Sequence, residues 1–148
     1  MSKKGEKAAA LNKSGFGCAS SVFGAFCEDY GLDAEDLKLA GALGGGCCRQ
    51  GEVCGAVTGG ALVIGLKYGQ AIPEDSPARL NCYAHADEFI DEFKKSSPLG
   101  NALTCRDILG FDTGTPEGRA HMETVNRDDL PCRSVVYCAA EVLEKLGY

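Results

Sequence analysis

The sequence shows no excess of positive charge. Its formal net charge is −6 over 148 residues. The early lysines read as an ordinary polar tail rather than a basic stripe (Lys3, Lys4, Lys7 and Lys13). Proteins that bind DNA or RNA concentrate lysine and arginine on one face. The charge therefore argues against a nucleic-acid partner.

Long apolar segments are also absent. The first residues, MSKKGEKAAALNKSG, contain no apolar region of the kind that a secretion signal needs. The longest apolar run, residues 61–66, is far too short to cross a bilayer. We therefore expect a soluble, cytoplasmic protein with no membrane insertion.

The common cysteine and catalytic motifs are missing as well. Structural zinc sites usually pair cysteines at C-x2-4-C spacing, thioredoxin-like sites need C-x-x-C, and c-type haem needs C-x-x-C-H. None of these occurs, and His85 and His121 are interpreted as surface residues. No carboxylate pair, phosphate loop or Ser/His/Asp constellation indicates a substrate. Zinc is therefore the less favoured metal, and an electron-transfer or cluster-binding protein is favoured over a substrate-converting enzyme.

No stretch alternates apolar and polar residues as a strand would. The hydrophobic content of 45% and the charged content of 24% suit one globular domain over residues 1–148. Residues 1–13 are expected to be a flexible or marginally ordered tail. We predict an all-α fold, a compact bundle of about five to six helices. The predicted helices cover residues 16–30, 34–43, 53–68 and 104–110, and two more begin near Ser76 and Pro131; residues 111–118 are predicted to form a loop.

In contrast to these absences, the sequence contains nine cysteines. In a reducing cytosol, cysteine enrichment indicates metal binding or catalysis more often than disulfides, and an odd count fits a closed disulfide framework poorly. The alternative, without any chemical role, is that roughly half of them are small buried hydrophobic residues. Three lie in the segment GGGCCRQGEVCGAVTGG, residues 44–60. A disulfide, a metal site and a reactive thiol are the alternatives for that segment.

Four cysteines share a position at or beside the start of a predicted helix: Cys18, Cys54, Cys105 and Cys132. The free N–H groups and positive dipole of a helix start stabilise a thiolate, and converging helix starts would offset the charge of a thiolate–metal cluster. These four are the predicted metal ligands. Cys47 and Cys48 are undecided further candidates, because a flexible loop can aim either thiol at the site. The other three are predicted to be packing residues (Cys27, Cys82 and Cys138).

Glycines and arginines surround these cysteines. Gly51, Gly55 and Gly59 can let the backbone approach a cofactor closely, with N–H groups directed at sulfur. Tight helix packing is an equally open alternative for Gly55 and Gly59. Arginine directly follows cysteine three times, and a nearby guanidinium favours thiolate over thiol. Solvated surface arginines are the alternative there (Arg49, Arg106 and Arg133).

These residues resemble a known family. The segment CGAVTG, residues 54–59, preceded by GGG and GE and followed by ALVIGLKYG, is similar to the C_GCAxxG_C_C family. Its members are small proteins with a suspected redox role and the pattern C…CGAxxG…C…C. GCASSVFGAF, LTCRDILG and LPCRSVVYCAAEVLE supply the other three cysteines, so the resemblance spans residues 17–148. It implies a small helical protein defined by the same four cysteines. A related helical domain occurs in split-Soret-type cytochromes, where an iron–sulfur cluster accompanies the haems.

Three functions follow, in order of preference. The first is electron transfer by a [2Fe–2S] or [4Fe–4S] cluster on the four cysteines, with a redox partner protein. The second is a metal-free thiol–disulfide oxidoreductase or sulfur carrier with Cys54 as the reactive thiol and Cys47, Cys48 or another cysteine as the resolving one. The third is a helical interaction module with incidental cysteines. A homodimer is an open alternative to a monomer.

Overall fold

The computed structural model describes all 148 residues and contains no β-strand. Its seven α-helices are α1 (Lys3–Lys13), α2 (Cys18–Phe26), α3 (Gly55–Tyr68), α4 (Ser76–Ser96), α5 (Cys105–Leu109), α6 (Pro116–Thr124) and α7 (Cys132–Lys145). Three short 3-10 helices cover Cys27–Tyr30, Ala34–Ala40 and Arg127–Asp129. The all-α prediction is confirmed, but there are more helices than the five to six predicted. None of the helices has both the length and the apolar character that a membrane span requires.

Helix α2 lies at the centre of the bundle. Residues 19–26 are all buried, because α1, α3 and α7 pack around them. Helix α4 packs in turn against α3 and α7. A helix that is buried on every side has no solvent face to leave polar. Its first residue, Cys18, is therefore fixed in space by three neighbouring helices.

Residues Lys3–Lys13 form helix α1, where the sequence predicted a flexible or marginally ordered tail over residues 1–13. Ser2 caps α1 by accepting a hydrogen bond from the Gly5 N–H at 2.8 Å. Ala8 is fully buried, and Gly5 lies against the ring of Tyr137 in α7. The sequence signal was weak because glycine and alanine form the contact face, which leaves no stripe of large apolar residues.

Two further segments differ from the prediction. The segment after Asp33 is a 3-10 helix rather than an α-helix, although Asp33 caps it as expected, in a reciprocal capping box with Asp36. The predicted loop at residues 111–118 contains the start of α6, where Thr115 is the N-cap and Pro116 the first residue. Short helices with few apolar residues give little periodic signal.

Candidate metal centre

The four predicted ligands lie at four helix starts. Cys18, Cys105 and Cys132 are the first residues of α2, α5 and α7, and Cys54 is the N-cap of α3. Cys54 and Cys105 are 5% and 8% exposed, whereas Cys18 and Cys132 are half-buried. We name these four residues the four-cysteine site.

Backbone hydrogen bonds hold two of the four cysteines in place. The segments that precede α3 and α5 meet in a short antiparallel ladder. In this ladder the Cys54 N–H donates to the Leu103 carbonyl at 2.8 Å, and the Cys105 N–H donates to the Glu52 carbonyl at 2.6 Å. A ladder of this kind fixes the register of its two segments. The relative position of these two cysteines is therefore set by the backbone itself.

Cys18 lies beside Gly55, the residue that follows Cys54. A Cβ atom on Gly55 would lie 3.0 Å from the Cβ of Cys18 and 2.9 Å from the Ala19 nitrogen. The thiols of Cys18 and Cys132 also lie close enough for their interaction to shift the pKa values of both. The starts of α2, α3 and α7 therefore meet at their cysteines.

A charge on any one of the four sulfurs is felt by the other three. Electrostatic interactions connect every pair of cysteines within the four-cysteine site. No group of three or more His, Cys, Asp or Glu side chains, however, is arranged to hold one metal ion.

Burial opposes thiolate formation at three of the four cysteines. It raises the pKa of Cys54 to about 12, although the backbone at Ala56 and Val57 in the first turn of α3 acts to lower it. Burial also raises the pKa of Cys105. The hydrogen bond to Cys132, together with burial, raises the pKa of Cys18 well above its usual value. The expectation that helix starts lower the pKa of all four is wrong, because desolvation outweighs the helix N–H groups.

Cys132 is the exception among the four. The hydrogen bond from Cys18 lowers the pKa of Cys132, and its own N–H and the charge of Arg127 act in the same direction, against the effect of burial. Cys132 is therefore the member of the site that most readily carries a negative charge.

The arginines that follow the cysteines of the site are paired elsewhere. Arg106 forms a bidentate ion pair with Glu52, at 2.9 and 3.1 Å, and Arg133 pairs with Asp128. Successive helical residues point about 100° apart, so adjacency in sequence does not bring the charge to the thiol. Arg127, which no motif marks, supplies the positive charge instead.

Thr113 is a further residue of the site that the sequence did not indicate. Its side chain lies near Cys105 and acts to lower the pKa of that thiol. The Thr113 hydroxyl also lies 3.3 Å from the Gly45 carbonyl oxygen, and the residue is only 5% exposed. No local sequence pattern predicts the contact between Thr113 and Gly45, because the two residues are distant in the chain.

The glycines predicted to line a cofactor contact protein atoms. Gly55 and Gly59 lie against the start of α2, so close helix packing, the alternative left open by the sequence, accounts for both. Gly51 has a φ of 70°, and its Cα faces the Asp112 carboxylate. Gly46 takes a role nearer the site, because a Cβ there would lie 2.7 Å from the Cβ of Cys105.

The remaining cysteines lie outside the four-cysteine site. Cys27 and Cys138 are core residues, 2% and 5% exposed, and Cys82 packs against the core, as predicted. Cys47 and Cys48 lie in a loop of five residues, 45–49, whose φ angles are all between 55° and 74°. We name it the left-handed loop. This conformation costs roughly 1–2 kcal/mol per non-glycine residue, so the loop is a constrained segment rather than the flexible one that the sequence suggested.

A comparison with protein families matches the chain over nearly its whole length. The family described as "Putative redox-active protein (C_GCAxxG_C_C)" covers residues 16–146, which include the four-cysteine site. The chain belongs to this family. Among curated proteins and among solved structures, nothing matches the chain. The family description names redox activity and no cofactor.

Proposed function

We propose that the four-cysteine site binds an iron–sulfur cluster and that the protein transfers electrons to a partner protein. The observation that carries this proposal is the meeting of four thiols from four separate helix starts, each coupled electrostatically to the other three. Four thiolates are the usual ligand set of [2Fe–2S] and [4Fe–4S] clusters. The redox description of the family supports the same reading.

The donor set fits such a group. Thiols with raised pKa values, here Cys18, Cys54 and Cys105, lose their protons only where positive charge takes the place of the proton. A zinc ion needs its sulfur ligands about 2.3 Å from one centre. Ligands of a cluster are separated by the iron and sulfide atoms between them. No two of the four cysteines have the C-x2-4-C spacing that is usual at structural zinc sites, which favours a cluster over zinc.

Polar groups of the chain would tune the redox potential of the site. The first turn of α3 and the side chain of Thr113 act to lower the pKa values of Cys54 and Cys105, and Arg127 stabilises negative charge on Cys132. Hydrogen bonds and positive charge at ligand sulfurs stabilise the reduced, more negative state of a centre. The chemistry that the cluster supplies when bound is one-electron transfer.

Electron exchange with a partner requires that one side of the site lies near the surface. Cys54 and Cys105 are buried, whereas Cys18 and Cys132 are half-buried. We therefore place the partner contact at the starts of α2 and α7.

Reduced thiols also need a reducing compartment such as the cytoplasm.

A metal-free dithiol function is the second candidate, and the proximity of Cys18 and Cys132 favours it. The lowered pKa of Cys132 makes this residue the nucleophile of such a pair. Cys54, the nucleophile that the sequence suggested, is unsuited to that role, because burial raises its pKa to about 12.

Anaerobic purification followed by iron and acid-labile sulfide analysis tests the proposal. We expect brown protein with stoichiometric iron and sulfide, and visible absorption that bleaches on reduction. Single serine substitutions at the four ligands should each abolish most of the iron content (C18S, C54S, C105S and C132S). The matched control is C82S, at a half-buried cysteine outside the site, which should keep its iron.

Two outcomes separate the candidates. Protein that is colourless as purified, and that stays free of iron after anaerobic reconstitution with iron and sulfide, would overturn the cluster. If the same protein forms a disulfide between Cys18 and Cys132 on mild oxidation, the second candidate is supported instead.

A further inference from the structure

Cys47 and Cys48 differ from the other seven cysteines in their surroundings. Cys48 is the one exposed cysteine of the nine, and Cys47 is half-buried. They are adjacent in the chain. The two residues therefore constitute a surface dithiol, separate from the four-cysteine site.

The left-handed loop holds this dithiol in a fixed conformation. The Cys48 N–H donates to the Ala42 carbonyl at 2.8 Å, and the Arg119 guanidinium donates to the Arg49 carbonyl at 3.4 Å. Non-glycine residues with left-handed φ persist where the surrounding structure imposes them, and they concentrate at functional sites. The backbone therefore holds two adjacent cysteines in one conformation, and one of them is open to solvent.

We propose that Cys47 and Cys48 form a thiol–disulfide exchange site whose substrates are low-molecular-weight disulfides. This activity is distinct from the electron transfer proposed above and does not depend on the cluster. The exposed Cys48 is the attacking residue, and Cys47 resolves the mixed disulfide.

The exchange proceeds in two balanced steps. The Cys48 sulfur gives up its proton and attacks one sulfur of a disulfide RSSR, which forms a mixed disulfide and releases the first RSH. Cys47 then attacks the Cys48 sulfur, which forms the Cys47–Cys48 disulfide and releases the second RSH. The protein loses two electrons and two protons, and one RSSR becomes two RSH.

The adjacency of the two cysteines makes this disulfide easy to reduce again. Their peptide bond is trans, so their Cα atoms lie about 3.8 Å apart, below the usual range of about 4.4–6.8 Å for disulfides. Disulfides outside that range, and exposed ones, are more readily reduced. The site therefore returns to the dithiol in an excess of small thiol.

Trypsin isolates the pair for a direct test. Cleavage after Lys38 and Arg49 yields a peptide of residues 39–49, which contains Cys47 and Cys48 and no other cysteine. The full-length protein is incubated anaerobically with glutathione disulfide, its free thiols are alkylated, and the mass of the peptide is measured. We expect an unalkylated peptide lighter by two hydrogens, with two glutathione molecules released per protein. Excess glutathione should restore two alkylatable thiols.

Single variants separate exchange from simple modification. C47S should retain one glutathione on Cys48 and release only one, whereas C82S should behave as the wild type does. Retention of glutathione on the wild-type peptide, or two free thiols there after the incubation, would overturn the proposal. The iron content of C47S, measured on the same preparation, should equal that of the wild type. The iron measurement would therefore reveal a failure of the cluster proposal independently of the thiol–disulfide exchange result.

Discussion

Gly59 of α3 lies directly against Ala19 of α2. A Cβ atom on Gly59 would come within 2.5 Å of the Ala19 carbonyl oxygen. The obstacle is backbone, so the two helices would have to separate to admit a methyl group. Because Cys18 precedes Ala19 and Cys54 caps α3, the separation of these helices sets the distance between two thiols of the four-cysteine site.

We expect Gly59→Ala to destabilise the protein by about 1–3 kcal/mol, the usual cost of overpacking a core, and to lower its iron content. Urea denaturation gives the free energy of unfolding. The control is Gly65→Ala in the same helix, where a Cβ would meet no atom within 4 Å. That substitution should stabilise the protein by about 0.5–1 kcal/mol. Equal unfolding midpoints for the two variants would contradict the packing of α2 on α3.

The contact of α1 with the bundle gives a second prediction. Ala8 is fully buried, whereas Ala10 is exposed on the same helix. Ala8→Glu would place an unpaired charge away from water, and we expect it to lower the free energy of unfolding by about 3 kcal/mol or more. Ala10→Glu should change it by less than about 0.5 kcal/mol. Similar small effects of both substitutions in urea denaturation would mean that residues 1–13 are a loose tail.

The charge near Cys132 gives a third prediction, for the iron-loaded protein. Arg127 stabilises negative charge on Cys132, so Arg127→Gln should shift the reduction potential of the centre to more negative values. The control is Arg106→Gln, because Arg106 is paired with Glu52 at the surface and its loss should shift the potential less. An anaerobic redox titration followed by visible absorption measures both variants. If the two shifts in reduction potential were the same, the charge of Arg127 would act on the centre no more strongly than that of Arg106.

The helix starts and ends could be predicted from the sequence because their signals are local. Gly31 ends the first predicted helix with a φ of 72°, and Thr104 caps α5 through its own side chain. The four cysteines adjoin signals of this kind. Their common placement at helix starts was therefore readable from short segments, without knowledge of the tertiary fold.

Burial and long-range contacts could not be read in the same way. The dipole of a helix start predicted a lowered pKa for each cysteine of the site, yet only Cys132 has one, because desolvation depends on residues from other parts of the chain. The same limit applies to the left-handed loop. Non-glycine residues rarely adopt positive φ, so nothing local to Cys47 and Cys48 indicated their conformation.

The short ladder before α3 and α5 bears on how this chain tolerates changes in length. Helices α3 and α4 lie in the part of the chain between the two segments that this ladder joins. Residues 71–75, in the connection between these helices, are exposed, and exposed connections accommodate insertions and deletions. Such changes would alter the length of this part of the chain, while its two ends stayed hydrogen-bonded to each other. Cys54 and Cys105 would keep their spacing as the connection between α3 and α4 grew or shrank.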